Sequence, residues 1–425
     1  MSIIVKESPI ATLVNDEVPS DLDTKTNKSG KTASDTRRHK RWNMLFHLWE
    51  FSSLKRVRAC RRWSHNTFGE VNVRMSERED GSMGSGYEGL AKCGSAWACP
   101  LCAASIEAKR REEIQQIVEG ATCDGYAAAF LTMTLRHMAG QSLSKLLDAS
   151  AKMYRSVMDS RAVRSRLDDL ERQGYVRVLE ITHGLNGWHP HYHLILLFDW
   201  NAVALKRGLE PSEAPWKDEQ FNEALQDLAD AMHATWAKRA RKEGLGEPLR
   251  EFFDIRPIDS ADISQYLTKQ TVLVINEKEI AGASYETAGR TLKEGRKDSR
   301  TPWDIFQDFT ETGDLDDLDL WNEYEQATKG KRSVVFSQGL KKRYVGVDKS
   351  DQEIVDEEVG TVEDRVFTII DWSTVARVPG LPSQILSTLE REGIASAMAE
   401  CVWNGVPVRL PQKGSSSPPQ EPQGT

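Results

Sequence analysis

The sequence lacks any long apolar run. Its 425 residues contain apolar stretches only as long as a β-strand, short of the roughly 20 residues that a transmembrane helix needs. The beginning of the chain also lacks the charged-then-apolar order of a secretory signal. We therefore expect a cytoplasmic protein with no membrane partner, long enough for two to three domains.

Cysteine is scarce as well, since six cysteines in 425 residues are too few for a disulfide framework. Four of them are grouped, because Cys60 precedes the sequence Cys93-x5-Cys99-x2-Cys102. A Cys-x2-Cys turn lets two thiolates meet one ion, and four thiolates complete a tetrahedral zinc site. We predict a structural zinc site on these four residues, with His65 as a substitute for Cys60. The alternative is that the four cysteines bind no metal.

The two remaining cysteines and the segment between Cys60 and Cys93 are interpreted as structural. Cys123 and Cys401 stand alone and are interpreted as packing cysteines. The segment from Arg74 to Gly89 is rich in Gly and Ser and is interpreted as a loop.

An overall positive charge is missing too, and the net charge of -8 argues against a nucleic-acid partner. The charge is uneven, however, because residues 37–62 hold nine Lys/Arg and one acid, whereas residues 304–325 hold nine acids and no Lys/Arg. A local basic patch can attract a polyanion whatever the total charge. In the basic stretch the cations alternate with aromatic residues, which can grip phosphates and stack on bases. The alternative is a short helix that packs its aromatic residues on the body of the protein.

Three of the nine histidines lie in one short stretch, Gly187 to Phe198, which reads Gly-Trp-His-Pro-His-Tyr-His followed by an apolar run. The run predicts a buried strand. His191 and His193 are two residues apart, so their imidazoles project from the same face of that strand and can bind one metal ion. The alternative is a pair of surface histidines in front of a core strand.

A strand from Tyr175 to Thr182 precedes the histidines, and a Gly/Asn turn joins the two, which predicts an antiparallel pair. Glu180 would then lie beside His191 and His193 as a third ligand. Its alternative is a solvated carboxylate on a strand. The apolar periodicity also predicts strands near 127–137 and 251–258, with helices near 103–120, 142–158, 217–243 and 302–324.

A further helix is predicted from Asp262, capped by Ser260. Asp262 and Tyr266 are four residues apart and share one face, and Lys269 lies one turn further on. A carboxylate, a phenol and an ammonium in one row could form a catalytic site. The alternative is a tyrosine that packs on the sheet beside solvated neighbours.

Together these motifs resemble the rolling-circle replication initiators of bacterial plasmids, in the HUH endonuclease class, and in particular the actinobacterial branch. Phe130-Leu-Thr-Met-Thr134 resembles the first motif of that family, His189-Pro-His-Tyr-His193 the second and Tyr266-Leu-Thr-Lys269 the third. The cysteine-rich segment 93–102 and the segments at Pro302-Trp303 and Trp321–Arg332 are also similar to that branch. The likeness covers most of residues 56–345.

The resemblance implies a nickase for plasmid origin DNA. Tyr266 would attack one strand, give a 5′-phosphotyrosine and a free 3′-OH primer, and allow rejoining without ATP. His191, His193 and Glu180 would hold Mg²⁺ or Mn²⁺, Lys269 would neutralise phosphate charge or lower the phenol pKa, and Asp262 would act at termination. A host helicase, a single-strand-binding protein and a second copy of the chain are the expected partners.

The implied fold is α+β and ferredoxin-like: an antiparallel sheet with helices on one face, a central metal strand, a zinc segment and a small C-terminal subdomain. We divide the chain into a disordered or basic arm (1–55), a zinc segment (56–120), a nicking domain (121–275), a polar and acidic extension (276–345), a C-terminal subdomain (346–410) and a disordered tail (411–425). Three alternatives stay open: a relaxase or single-strand transposase, a non-catalytic zinc-containing DNA-binding regulator, and a cupin-type metalloenzyme.

Overall fold

Two antiparallel sheets and the helices around them form the part of the protein that this computed structural model describes, residues 33–77, 81–208, 210–212, 214–258, 299–357 and 364–411. This mixture confirms the predicted α+β class. The described helices are α1 Ala33–Phe51, α2 Lys55–Ala59, α3 Pro100–Cys123, α4 Leu143–Asp159, α5 Arg161–Asp169, α6 Trp200–Lys206, α7 Glu219–Lys242, α8 Pro302–Thr312, α9 Leu315–Thr328, α10 Leu340–Tyr344, α11 Asp351–Asp356, α12 Trp372–Arg377, α13 Leu381–Glu392 and α14 Ile394–Trp403. No helix in these ranges is both long and apolar enough to cross a membrane.

The described strands are β1 Val71–Glu77, β2 Met83–Glu88, β3 Ala127–Met133, β4 Arg172–Gly184, β5 Gly187–Phe198, β6 Ile255–Ile258, β7 Ser299–Arg300, β8 Val334–Phe336, β9 Arg365–Ile369 and β10 Val408–Arg409. The larger sheet has the order β6-β3-β5-β4-β7, and β8 also pairs with β4. All of its pairs are antiparallel. The histidine strand β5 is therefore central, between β3 and β4.

Helices cover both faces of this sheet. On one face, alternate apolar residues of β3 and β5 join the main core with α4, α5 and α7. On the other face, Ile114, Ile117 and Val118 of α3 pack with Phe130 and Ile195 in a second core, to which Leu340 of α10 belongs. The predicted placement of helices on one face only is thus incomplete, because the apolar side of α3 buries part of the histidine-bearing face.

The smaller sheet has the order β10-β9-β1-β2. Its first hairpin, β1 and β2, occupies most of the segment from Arg74 to Gly89, so the predicted loop there is wrong. Val71 and Val73 are buried, and Glu88 pairs with Arg74 and Arg365 across the strands. Because β1 also pairs with β9, the predicted zinc segment and the predicted C-terminal subdomain share this sheet.

The described part of the basic arm is a helix. In α1 the side chains of Trp42, Leu45, Leu48 and Trp49 are buried, and α1 contacts α3 and α13. This agrees with the alternative in which the aromatic residues pack on the body of the protein. From Ala33 onward the arm is therefore helical, and the disorder predicted there is wrong. The predicted helix 302–324 is two helices, α8 and α9, separated at Gly313, whose φ of 75° is left-handed.

Candidate metal centre and cysteine cluster

The hairpin of β4 and β5 brings the predicted ligands together. Its tight turn runs from Gly184 to Gly187, and Gly187 has a φ of +81°, which glycine adopts without strain. This turn fixes the register, so that Glu180 lies directly opposite His191. On the other side of β5, His193 lies opposite Thr132 of β3. All four side chains therefore share one face of the sheet.

The three candidate ligands converge on one point. The Glu180 Oε2 atom lies 3.1 Å from His191 Nε2 and 3.0 Å from His193 Nε2. One ligand atom from each residue falls within 4.8 Å of the others. The side chains are 19%, 12% and 12% exposed, so the group is open enough for a ligand and is held by its surroundings. Two imidazoles and one carboxylate are a donor set that suits several divalent ions.

The second ring nitrogen of each histidine is also engaged. His193 Nδ1 lies 3.2 Å from Thr132 Oγ1, and His191 Nδ1 lies 3.3 Å from the backbone oxygen of His189. An N–H at Nδ1 that donates to these oxygens leaves Nε2 as the basic atom, the arrangement typical of metal-binding histidines. The residues present therefore fit a divalent cation.

The charge state also suits a cation. Burial alone would raise the pKa of Glu180, but the neighbouring rings of His191 and His193 lower it well below its usual range. Burial lowers the pKa of His193 despite the neighbouring carboxylate. An ionised carboxylate beside a neutral His193 imidazole is the protonation state that metal binding requires.

Two more histidines extend this group. His137 Nε2 lies 2.8 Å from His189 Nδ1, and His137 Nδ1 lies 2.9 Å from the backbone oxygen of Asn186. Burial is the main cause that lowers the pKa of His189 to about 4, helped by His191 and His137. Sequence reasoning assigned no role to His137 or to the Thr132 hydroxyl. The Thr132 position in the first motif was the available signal, since strand pairing places it opposite His193.

The segment after residue 298 supports the histidine strand. Glu323 accepts hydrogen bonds from Trp188 Nε1 at 2.8 Å and from the Leu143 backbone N–H at 2.7 Å. The Trp188 ring also stacks on Tyr324, with 6.0 Å between centroids. The predicted catalytic residues Asp262, Tyr266 and Lys269 lie outside the described residues.

The four predicted zinc ligands form a second group. The sulfur atoms of Cys60 and Cys102 are 3.6 Å apart, those of Cys99 and Cys60 3.6 Å, and those of Cys93 and Cys102 3.7 Å. All four cysteines are buried and free of disulfides. Four sulfurs at about 2.3 Å from one ion are separated by about 3.8 Å, so the geometry fits tetrahedral zinc. His65, the predicted substitute, is exposed and is not a member of this group.

Arg61 complements the charge of these thiols. Burial would lower the pKa of Arg61, but the four surrounding cysteines raise it above its usual value. Of the two cysteines interpreted as packing residues, Cys401 is buried, which agrees with the prediction, whereas Cys123 is exposed, so the prediction is wrong for it.

A basic surface lies next to the cysteine cluster. Lys55, Arg56, Arg58 and Arg62 are exposed, and so are the rings of Trp63 and Phe68, at 55% and 82%. The Arg62 guanidinium lies 5.4 Å from the Trp63 ring centroid. We call residues 55–68 the basic surface. Exposed cations beside exposed aromatic rings are suited to contact a phosphate backbone.

Parts of the chain are similar to known proteins. Residues 90–204 match a protein-family model described as "Replication protein". The chain is 28% identical over 316 residues to "Protein rep" of Streptomyces lividans, an alignment that covers 63% of this chain and 66% of that relative. It is also 28% identical over 197 residues to "Neomycin resistance protein" of Streptomyces cyanogenus, covering 40% of this chain and 42% of that relative.

No solved structure matches the chain. The family match spans the three candidate metal ligands and three of the four clustered cysteines, whereas Cys60 and Tyr266 lie outside it. The predicted resemblance to plasmid replication initiators of the actinobacterial type is therefore confirmed, and it rests on the match of residues 90–204 to that family model and on the similarity to the Streptomyces relatives.

Proposed function

We propose that this protein starts rolling-circle replication of a plasmid by cutting one DNA strand at the origin. One observation carries the proposal. Glu180 of β4 and the two histidines of β5, His191 and His193, converge on one point within the region that matches the replication-protein family. A non-catalytic zinc-containing regulator would need no such group of ligands.

The order of the strands supports a ferredoxin-like HUH fold. The elements β3, α4, β4, β5, α7 and β6 follow a β-α-β-β-α-β order along the chain. In the sheet these strands lie in the order β6-β3-β5-β4, all antiparallel. Helices α4 and α7 pack together on one side, which leaves the histidine face for a substrate wherever α3 does not cover it.

Glu180, His191 and His193 would hold Mg²⁺ or Mn²⁺. When bound, such an ion would polarise the scissile phosphate and stabilise the charge that develops on it. Thr132 would keep the His193 ring in position through its Nδ1 atom. The apolar floor around Phe130 and Ile195 would limit water below the phosphate.

Tyr266 is the proposed nucleophile. Its phenol oxygen forms the bond to phosphorus as the bond to the 3′-oxygen breaks, and that oxygen leaves as a 3′-OH after taking up a proton. Lys269 would neutralise phosphate charge or lower the pKa of the phenol, and Asp262 would serve the second transfer at termination. Because the phosphotyrosine keeps the phosphodiester energy, rejoining requires no ATP.

The chain has enough length for this role. Ile258, the last residue of β6, pairs with Ala128, and Thr132 lies four residues further along β3, about 13 Å away. Tyr266 comes eight residues after Ile258 in the sequence, and eight residues of chain can span up to roughly 26 Å, which exceeds that distance.

The remaining parts of the protein are assigned to DNA binding and assembly. The four cysteines would hold a structural zinc ion, which fixes the basic surface next to Cys60. We propose that the basic surface binds duplex DNA near the origin, in a cytoplasmic complex. A host helicase, a single-strand-binding protein and a second copy of the chain are the proposed partners.

A nicking assay tests this function. Supercoiled plasmid carrying the origin is incubated with the protein and Mn²⁺ or Mg²⁺, and we expect open circles with protein attached to the 5′ end. Tyr266→Phe should keep DNA binding and lose nicking, whereas the control Tyr344→Phe should nick normally. Peptide mapping of the labelled adduct should identify Tyr266. Nicking by Tyr266→Phe, or an adduct on another residue, would refute the assignment.

A further inference from the structure

Among the residues that the structure describes, the partners of the outer edge of β4 leave a gap. Strand β8 pairs with Val176–Val178, and strand β7 pairs with His183 and Gly184. Between them neither strand reaches Ile181, and residues 179–182 line a cavity of about 130 Å³. Alternate residues of a strand direct their peptide groups to the same edge, and the Leu179 N–H donates outward to Ser333. The peptide groups of Ile181 therefore point towards the gap.

The walls of the cavity suit one flat ring. Trp97, Trp303 and Tyr324 contribute to the lining, together with apolar atoms of the sheet edge. These rings are held in place, since Trp97 donates to the Lys331 backbone oxygen at 2.7 Å and Trp303 lies 5.2 Å from Trp321. An apolar cavity of about 150 Å³ binds benzene. At about 130 Å³ this cavity is on the scale of one six-membered ring and is too small for a folded peptide segment.

Three polar side chains of α3, those of Glu107, Arg110 and Arg111, also line the cavity. Arg110 is paired with Glu113 and Asp351, whereas Glu107 and Arg111 are four residues apart and share one face of the helix. Among the described residues, neither forms a hydrogen bond or an ion pair shorter than 4 Å. Burial raises the pKa of Glu107 to about 8, against the opposing effects of Arg41 and Arg111. At neutral pH this carboxyl is therefore largely protonated, with one donor and one acceptor side by side.

The position of the cavity connects it to the candidate metal centre. Glu180 belongs to both, because it contacts the two histidines and also lines the cavity. A ligand in the cavity would thus lie beside any phosphate held at that centre. A nucleobase has apolar faces for the aromatic walls and a polar edge for the carboxyl and the peptide groups.

We propose that this cavity holds one unstacked base of the cleaved strand, next to the scissile phosphate, and that Glu107 reads its edge. This inference rests on the proposed function. A carboxyl with one donor and one acceptor can pair with two neighbouring polar groups on the edge of a base, one an acceptor and the other a donor. The site therefore binds the edge of the base at one position flanking the nick.

A scan with abasic oligonucleotides tests the proposal. The probe is a single-stranded oligonucleotide spanning the mapped nick position, and the protein carries Tyr266→Phe to prevent cleavage. Binding is measured by fluorescence anisotropy as one base at a time is removed. Stacking on aromatic side chains stabilises a bound base by an amount that corresponds to about 5- to 150-fold in affinity. We expect a loss in this range at one flanking position.

Variants of Glu107 assign that loss to the cavity. Glu107→Leu should lower the penalty at this position, because stacking on the aromatic walls remains but pairing with the edge of the base is lost, and it should leave the penalties at other positions unchanged. Glu107→Gln keeps one donor and one acceptor and should retain most of the penalty. The matched control is Glu112→Leu, at an exposed position of the same helix. Thermal unfolding checks that each variant is folded.

The outcomes separate the two proposals. If the protein with Glu107→Leu and the protein with Glu107 intact lose the same affinity on removal of each base, the base-binding inference is overturned and the nicking function stands. If Glu107→Gln lowers the penalty as much as Glu107→Leu does, the assignment of a donor–acceptor pairing to Glu107 is overturned. If the protein with an intact Tyr266 forms no covalent adduct with the same oligonucleotide, the proposed function fails, and this inference fails with it.

Discussion

Replacing one cysteine of the cluster should release zinc and destabilise the region where α1, α2 and α3 meet. Cys102 lies in the first turn of α3, and Cys60 directly follows α2. Structural zinc contributes roughly 10–16 kcal/mol in small zinc domains at pH 7. An equal share for each of four ligands is about 2.5–4 kcal/mol, a large part of the 5–15 kcal/mol that typically stabilises a domain. We expect Cys102→Ser to lower the free energy of unfolding by at least this amount, because loss of the ion removes the shares of the other three ligands as well.

Two measurements check this expectation. Metal analysis of protein purified under reducing conditions should give one zinc per chain before the substitution and much less after it. Urea unfolding should give the change in stability. Cys123→Ser is the matched control, since Cys123 ends the same helix and is exposed. A Cys102→Ser protein with full zinc content and unchanged stability would show that the sulfur cluster binds no structural ion.

The other predictions concern the sheet and α3. Thr132→Val removes the acceptor for His193 Nδ1 and should weaken metal binding about 10- to 100-fold in a Mn²⁺ titration, while Thr134→Val should not. Glu323→Ala leaves two buried N–H groups without an acceptor and should destabilise the protein by about 2–4 kcal/mol in urea, unlike the exposed control Asp319→Ala. In the folded state Glu107 keeps its proton up to a pKa of about 8, so the free energy of unfolding should fall by on the order of 2–4 kcal/mol as pH rises from about 4.5 to 8. Glu107→Gln should flatten this pH profile in urea unfolding, and an unchanged slope would contradict the assignment.

The candidate centre could be predicted because its geometry is local. The apolar run after His193 defines β5, and a tight turn before it leaves one antiparallel register. Glu180 was therefore expected beside His191, and the structure has it there. Strand β3 was expected to alternate, but nothing in the sequence showed that it pairs with β5. For this reason the contact between Thr132 and His193 emerged only from the fold.

The parts that escaped prediction depend on distant partners. The glycine-rich strand β2 has weak intrinsic strand propensity, and β1 is paired on its other side by β9, almost 300 residues away in sequence. The apolar face of α3 was visible as a periodic pattern, but which surface it covers is a tertiary choice. Exposure of Cys123 is a similar case, because a lone cysteine at the end of a helix does not reveal what lies opposite it.

Helix α3 explains why a structural cysteine cluster and a candidate catalytic centre occur in one domain. Its first turn holds Cys102, its middle presents Glu107 and Arg111 to the cavity, and Ile114 and Ile117 pack on the histidine-bearing face. A shift at its first turn moves every side chain further along, because a helix transmits displacement as a rigid body. Loss of zinc should therefore weaken the binding of the base at the cavity, whereas Mn²⁺ binding, which depends on β4 and β5, should change much less.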